Sequence, residues 1–120
     1  MFEAVIEDFR IVPYVRMTRR GKFCKDRAIR YIQNQDQLAL LIRLAGKGEV
    51  RYPCMLYVEI RQVGLRSNSD WDNYAKAVCD ALVKAGVLPN DCFKYIAGAV
   101  VKLRRAKRNL VKIKLFGGGR

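Results

Sequence analysis

The feature that most constrains the fold is an alternating segment, VRYPCMLYVEI at residues 50–60, which lies between two segments with helical periodicity. Its apolar side chains fall on every second position, which predicts a strand with one buried face. These side chains are Val50, Tyr52, Cys54, Leu56, Val58 and Ile60. Pro53 lacks a backbone donor, so it marks either an edge strand or the early part of this strand.

Similar patterns assign the rest of the chain. The expected elements are a strand at residues 2–9, a helix at 26–45, a helix at 70–85 and strands at 92–103 and 110–116. Glycines follow both helical segments, where helices commonly end. The predicted order is β-α-β-α-β-β, an α/β (α+β) domain with a mixed sheet flanked by two main helices. It should span residues 1–116 as a single domain, and residues 117–120 are expected to form a disordered tail.

The charge of the chain predicts a polyanionic partner, since the formal net charge is +13. Nucleic acid is the first candidate and an acidic membrane surface the second, although charge can also serve solubility alone. Two clusters favour nucleic acid. The first contains Arg16, Arg19, Arg20, Lys22 and Lys25, and the second contains Lys102, Arg104, Arg105, Lys107 and Arg108. Together with Arg66, members of these clusters are candidate DNA contacts that neutralise phosphates without reading sequence.

Other chemistry is excluded by what the sequence lacks. The chain has no histidine, which excludes Ser-His-Asp and Cys-His catalysis, so any hydrolysis must depend on carboxylates, lysine and metal ions. The four cysteines form no CxxC pair, so we expect reduced thiols rather than zinc ligands. No signal peptide and no membrane span is recognisable, which predicts a cytoplasmic protein with no membrane partner and no organic cofactor.

The acidic residues of the second half are gathered in one stretch. From Arg61 onward the chain has thirteen Lys and Arg but only four acids, all within SDWDNYAKAVCDALVKAGVLPND at residues 69–91. Asp70 and Asp72 stand at the expected start of the second helix, and Asp91 is expected to begin the strand that follows. A strand and the entry to a neighbouring helix commonly meet at one sheet edge, so these three carboxylates are expected to converge.

Converging carboxylates repel one another unless a cation lies between them, and Mg²⁺ prefers such oxygen ligands. With phosphate oxygens bound, a site of this kind can activate water and stabilise a leaving oxygen, and Lys76 would add a positive charge beside it. Structural roles remain open for each residue. Ser69 or Asp70 can cap the helix, Lys76 can form ordinary i,i+4 pairs with Asp72 and Asp80, and Asp91 can be a turn residue.

The apolar side of the second helix completes this interpretation. Its predicted stripe, which should pack on the sheet, consists of Trp71, Tyr74, Ala75, Val78 and Leu82. The polar positions form the pattern D-x-D-N-x-x-K-x-x-x-D-x-L, followed by Gly-Val and a later acidic turn. This pattern, with the basic MTRRGKF upstream, resembles the RusA family of Holliday junction resolvases over nearly the whole chain.

The resemblance implies roles for individual residues. It implies that Asp70, Asp72 and Asp91 bind Mg²⁺, for which Mn²⁺ can substitute, and that Lys76 assists the chemistry. It implies supporting roles for Asn73, Asp80 and Asn90. The family often has two adjacent acids at the turn, whereas this chain has Asn90-Asp91, in which the amide can still offer an oxygen.

The function implied by the resemblance is symmetric paired nicking of a four-way DNA junction by a homodimer, in DNA recombination and repair, in a bacterium or phage. Two other functions remain open on the residues alone. One is a non-catalytic nucleic-acid-binding module whose acids only cap a helix and a turn. The other is a metal-dependent nuclease that acts on flaps or other branched DNA.

Overall fold

Five strands and two helices make up the computed structural model, which describes residues 1–14, 22–92 and 94–117 and omits the side chains of residues 22–25. The elements are β1 (Phe2–Glu7), α1 (Lys22–Ala45), β2 (Lys47–Gly48), β3 (Cys54–Gln62), α2 (Trp71–Lys84), β4 (Ile96–Arg105) and β5 (Leu110–Phe116). The predicted α+β class, with two helices and a mixed sheet, is confirmed. The expected tail lies outside the described residues except for Gly117.

The strands form one sheet in the order β2-β1-β5-β3-β4. Only the β3–β4 pair is parallel, and the connection between these two strands contains α2. Because β3 lies between β5 and β4, the edge-strand interpretation of Pro53 is wrong. The strand begins at Cys54, directly after this proline, and the alternating residues before it belong to the connection.

Several predicted boundaries are shifted. β1 ends at Glu7 because Asp8 has a positive φ of 58°, which is incompatible with a continuing strand. α1 begins at Lys22 rather than residue 26. The two-residue β2 was not predicted, and its Gly48 has a φ of 95° and passes so close to the backbone of Met1 that a side chain would clash.

The core lies between the sheet and the two helices. Alternate side chains of the three inner strands are buried there, namely Ala4 and Ile6 of β1, Leu56, Val58 and Ile60 of β3, and Val111, Ile113 and Leu115 of β5. Tyr31, Leu38 and Ile42 of α1 pack in the same cluster. Both helices therefore cover one face of the sheet, as the strand alternation requires.

The side of α2 that packs on the sheet differs in part from the prediction. Tyr74, Val78 and Leu82 are buried as predicted, but the remaining buried positions are Ala77 and Ala81. Ala75 is only half-buried, and Trp71 is exposed over 61% of its surface. Trp71 is the first residue of α2, at the end of the helix that extends past the core.

Candidate active site

The start of α2 presents two carboxylates to solvent. Asp70 occupies the N-cap position with extended backbone angles, but within the described first turn its carboxylate accepts no capping hydrogen bond. The amide of Asn73 donates instead to the backbone carbonyl of Asp70 at 3.2 Å and to the Asp72 carboxylate at 3.0 Å. The Asp70 side chain therefore does not cap the described helix, and its carboxylate is not used in a capping hydrogen bond.

The lysine of the motif lies between two other carboxylates. Its ammonium group is 3.0 Å from Asp80 Oδ1, one turn along α2, and 3.0 Å from Asp91 Oδ2. The i,i+4 pair anticipated for Lys76 and Asp80 is thus present. Asp91 was expected to begin the next strand but lies in the loop five residues before Ile96, because β4 begins later than predicted. Within this loop the Asp91 amide donates to the side chain of Asn90 at 2.6 Å.

A residue that the sequence did not single out for the site completes this network. Tyr31 of α1 is 2% exposed, and its hydroxyl donates to Asp80 Oδ2 at 2.6 Å. Asp80 therefore binds Tyr31 through one oxygen and Lys76 through the other. The pattern of α1 predicted that Tyr31 packs in the core. Its hydroxyl was the feature that could have indicated this role, because the hydroxyl of a buried tyrosine needs a hydrogen-bond partner.

The network determines the charge states of its members. The hydrogen bond to Asp91, and to a smaller extent the hydrogen bond to Asp80, raises the pKa of Lys76 above its ordinary value. The side chain is therefore a cation at neutral pH. Burial, and next the hydrogen bond to Asp80, raise the pKa of Tyr31, which keeps this hydroxyl a neutral donor. Burial also raises the pKa of Cys79, the neighbour of Asp80 in sequence, to about 11. Its thiol therefore remains protonated at neutral pH.

The predicted convergence of Asp70, Asp72 and Asp91 is incomplete in this conformation. Among the described residues, no three Asp, Glu, His or Cys side chains are close enough together to hold a metal ion. Asp91 is engaged by Lys76, which follows Asp72 by one helical turn, a rise of about 6 Å. The donors at this end of α2 are carboxylate and amide oxygens, the chemistry that suits Mg²⁺. Their assignment as metal ligands stays a prediction.

Some of the described basic residues lie beside the start of α2. Arg105, at the end of β4, donates to the carbonyl of Leu65 in the loop that precedes α2, at 2.9 Å. Arg66 and Arg105 line one cavity of about 250 Å³ together with Ser69, which directly precedes Asp70. Arg104 is exposed near the end of β4, and Lys107 and Arg108 are exposed in the turn between β4 and β5.

The other basic cluster is not described. Arg16, Arg19 and Arg20 lie outside the described residues, and Lys22 is the first residue of α1 without a described side chain. Tyr14, the last described residue before this segment, donates its amide to the carbonyl of Asn73 at 3.0 Å. The chain thus enters its first basic segment from a point beside the first turn of α2.

Exposed carboxylates, an ion-paired lysine and nearby arginines on a small basic α+β domain are the kinds of side chain found in metal-dependent nucleases. A model of the family described as Endodeoxyribonuclease RusA matches residues 17–115, and the chain belongs to this family. It is accordingly a crossover junction endodeoxyribonuclease, of a family whose nucleases depend on divalent metal ions. Among curated proteins, no match to the chain is found.

Within the described residues, neither α1 nor α2 has the combination of length and apolar character that crossing a membrane would need.

Proposed function

We propose that this protein resolves Holliday junctions in recombination and repair by a Mg²⁺-dependent reaction, with Mn²⁺ able to substitute. It would act in the cytoplasm of a bacterial or phage-infected cell, as a homodimer that nicks two strands symmetrically. The observation that carries the proposal is the start of α2. There the Asp70 carboxylate does not cap the described helix, and Lys76 is held against Asp91.

In this proposal Asp70, Asp72 and Asp91 hold the metal ion, with Asn90 as a nearby oxygen donor. A divalent ion held there would activate water and offset charge on the leaving oxygen. Lys76 contributes a fixed positive charge beside Asp91, where a phosphate oxygen can accept a hydrogen bond from its ammonium group. Asp80 orients that group, because its carboxylate is itself held by a hydroxyl from the core.

In this proposal the arginines near the start of α2 bind the phosphates of the substrate. Arg66 lies in the loop that leads into Asp70 and Arg105 donates to that loop, so phosphates bound there approach the start of α2. Such contacts give affinity that falls steeply with salt. Arg104, Lys107 and Arg108 would extend this surface toward a second arm of the junction.

The proposal is tested with a synthetic four-way junction, a flap and a linear duplex of matched sequence, each with Mg²⁺ and with EDTA. We expect paired nicking of the junction only when metal is present. Replacing any one of the three carboxylates (Asp70→Asn, Asp72→Asn or Asp91→Asn) should abolish nicking, while junction binding in EDTA persists or tightens because a like charge is removed.

The matched control is Asp36→Asn, which removes an exposed acid that pairs with Lys84 at the opposite end of α2. This variant should cleave like the unmodified protein. Undiminished nicking by all three carboxylate variants would refute the assignment of the metal ligands. Cleavage of the flap in preference to the junction would identify flap DNA, rather than the four-way junction, as the substrate.

A further inference from the structure

The one tryptophan of the chain is an exposed residue at the candidate active site. Trp71 follows Asp70 and precedes Asp72, and 61% of its surface is accessible. Tryptophan is highly buried on average, and exposing an indole leaves a large apolar surface in water. The buried residues of α2 run from Tyr74 to Leu82, so Trp71 lies outside the buried part of this helix.

The surroundings of this indole match one type of ligand. The carboxylates of Asp70 and Asp72 flank it in sequence, and the cavity lined by Arg66 and Arg105 reaches Ser69, two residues before it. An exposed aromatic side chain close in sequence to a cavity lined by arginines offers both groups with which proteins hold unpaired nucleotides. Arginines neutralise the backbone, and the ring stacks on a base whatever its identity.

We propose that Trp71 stacks on a nucleobase at the branch point of junction DNA. This inference rests on the proposed function, because the indole is adjacent to the carboxylates at which the scissile phosphodiester would lie. In a continuous duplex both faces of each base are covered by neighbouring bases, whereas at a branch point the stack is interrupted and a face can be contacted. Trp71 would thus favour branched over linear DNA without reading a sequence.

The unmodified protein carries its own probe, because all tryptophan emission comes from this residue. Titrations are made in EDTA, where no cleavage occurs, with binding followed independently by the anisotropy of labelled DNA. At saturation we expect the four-way junction to quench the emission strongly and a linear duplex of the same arm sequence to quench it much less. Equal quenching by the two DNAs at equal saturation would overturn the inference.

Substitutions supply the second readout. Loss of one stacked base costs about 5- to 150-fold in affinity, so Trp71→Ala should weaken junction binding by that factor and duplex binding by less than about 2-fold. Trp71→Phe keeps an aromatic face and should recover most of the junction preference. A uniform loss on both DNAs, or no rescue by phenylalanine, would contradict stacking. Should Trp71→Ala fold poorly, the emission titration of the unmodified protein still decides the matter.

The alternative occupant of this surface is a second copy of the chain. If the indole were covered by another protomer, its emission would change with protein concentration in the absence of DNA, and that result would overturn the inference. The test also separates the inference from the proposed function. Metal-dependent junction cleavage without selective quenching would refute only the stacking, whereas absence of junction cleavage with quenching intact would refute only the function.

Discussion

The hydroxyl of Tyr31 offers a test of how Lys76, the proposed catalytic lysine, is held. Tyr31→Phe removes one O–H group and keeps the ring, including its edge-to-face contact with Tyr14 at 5.5 Å between centroids. Asp80 loses the donor at one of its oxygens and keeps the contact with Lys76. The change thus releases one side of the carboxylate that orients the lysine, without creating a large cavity.

The expected magnitude follows from the burial of the two partners. A hydrogen bond to a charged group contributes about 1.5–3 kcal/mol, and less when water can replace the missing donor. The Tyr31 side is buried, but the Asp80 side chain is 22% exposed, so part of the loss is recovered. We expect the free energy of unfolding to fall by about 1–2 kcal/mol. The cleavage rate should fall about tenfold, because the lysine keeps its contact with Asp91 but loses a fixed partner.

The assays are urea denaturation and single-turnover cleavage of a four-way junction at saturating protein. Tyr52→Phe is the matched control, since the Tyr52 hydroxyl donates to the carbonyl of Val87 at 2.6 Å, apart from the lysine network. It should lose about 0.5–1.5 kcal/mol of stability, because its acceptor is neutral, and retain the cleavage rate. If Tyr31→Phe cleaved at the rate of the control, the reasoning would fail, and the hydrogen bond would serve folding alone.

Two further predictions separate chemistry from binding. Lys76→Ala should lower the cleavage rate about 10²–10³-fold while junction affinity stays within about twofold. The control Lys84→Ala, on the same helix, should leave the rate unchanged. Equal losses of rate and affinity would instead make Lys76 a phosphate contact. The double variant Lys107→Ala, Arg108→Ala should reduce the log–log salt slope of binding by roughly 0.9 for each phosphate that the turn no longer neutralises, and Lys47→Ala in β2 should not. An unchanged slope, measured by anisotropy from low to moderate salt, would exclude this turn from the DNA interface.

The periodic segments were predictable because their patterns report burial directly. Alternation identified β3 and β5, and helical spacing identified both helices. β2 was not predictable, since two residues paired through Gly48 leave no pattern. The role of Pro53 was also ambiguous, because the same missing donor suits an edge strand or the residue before a central one.

The sequence singled out candidate acids for the site, whose role as metal ligands stays a prediction, but it did not indicate the contacts that support them. Asp70, Asp72 and Asp91 were identified by where acids are absent elsewhere, which is a property of composition. The bond from Tyr31 to Asp80 depends on how α1 packs on α2, and sequence spacing carries no record of that contact. Trp71 was misassigned because helical periodicity gives the direction of a side chain but not how far the core extends along the helix.

The electrostatics of the network bear on how substrate and site come together. Lys76 is a cation, but its two contacts are carboxylates, so with Asp70 and Asp72 this end of α2 carries more negative than positive side chains. Such a site repels an approaching phosphate at long range. Under the proposed function, the arginines beside it would therefore supply the attraction, and Lys76 would act once a phosphate oxygen is within hydrogen-bonding distance. For this reason we expect the basic residues of the turn between β4 and β5 to control affinity and its salt dependence, while Lys76 and its partners should control the rate of cleavage.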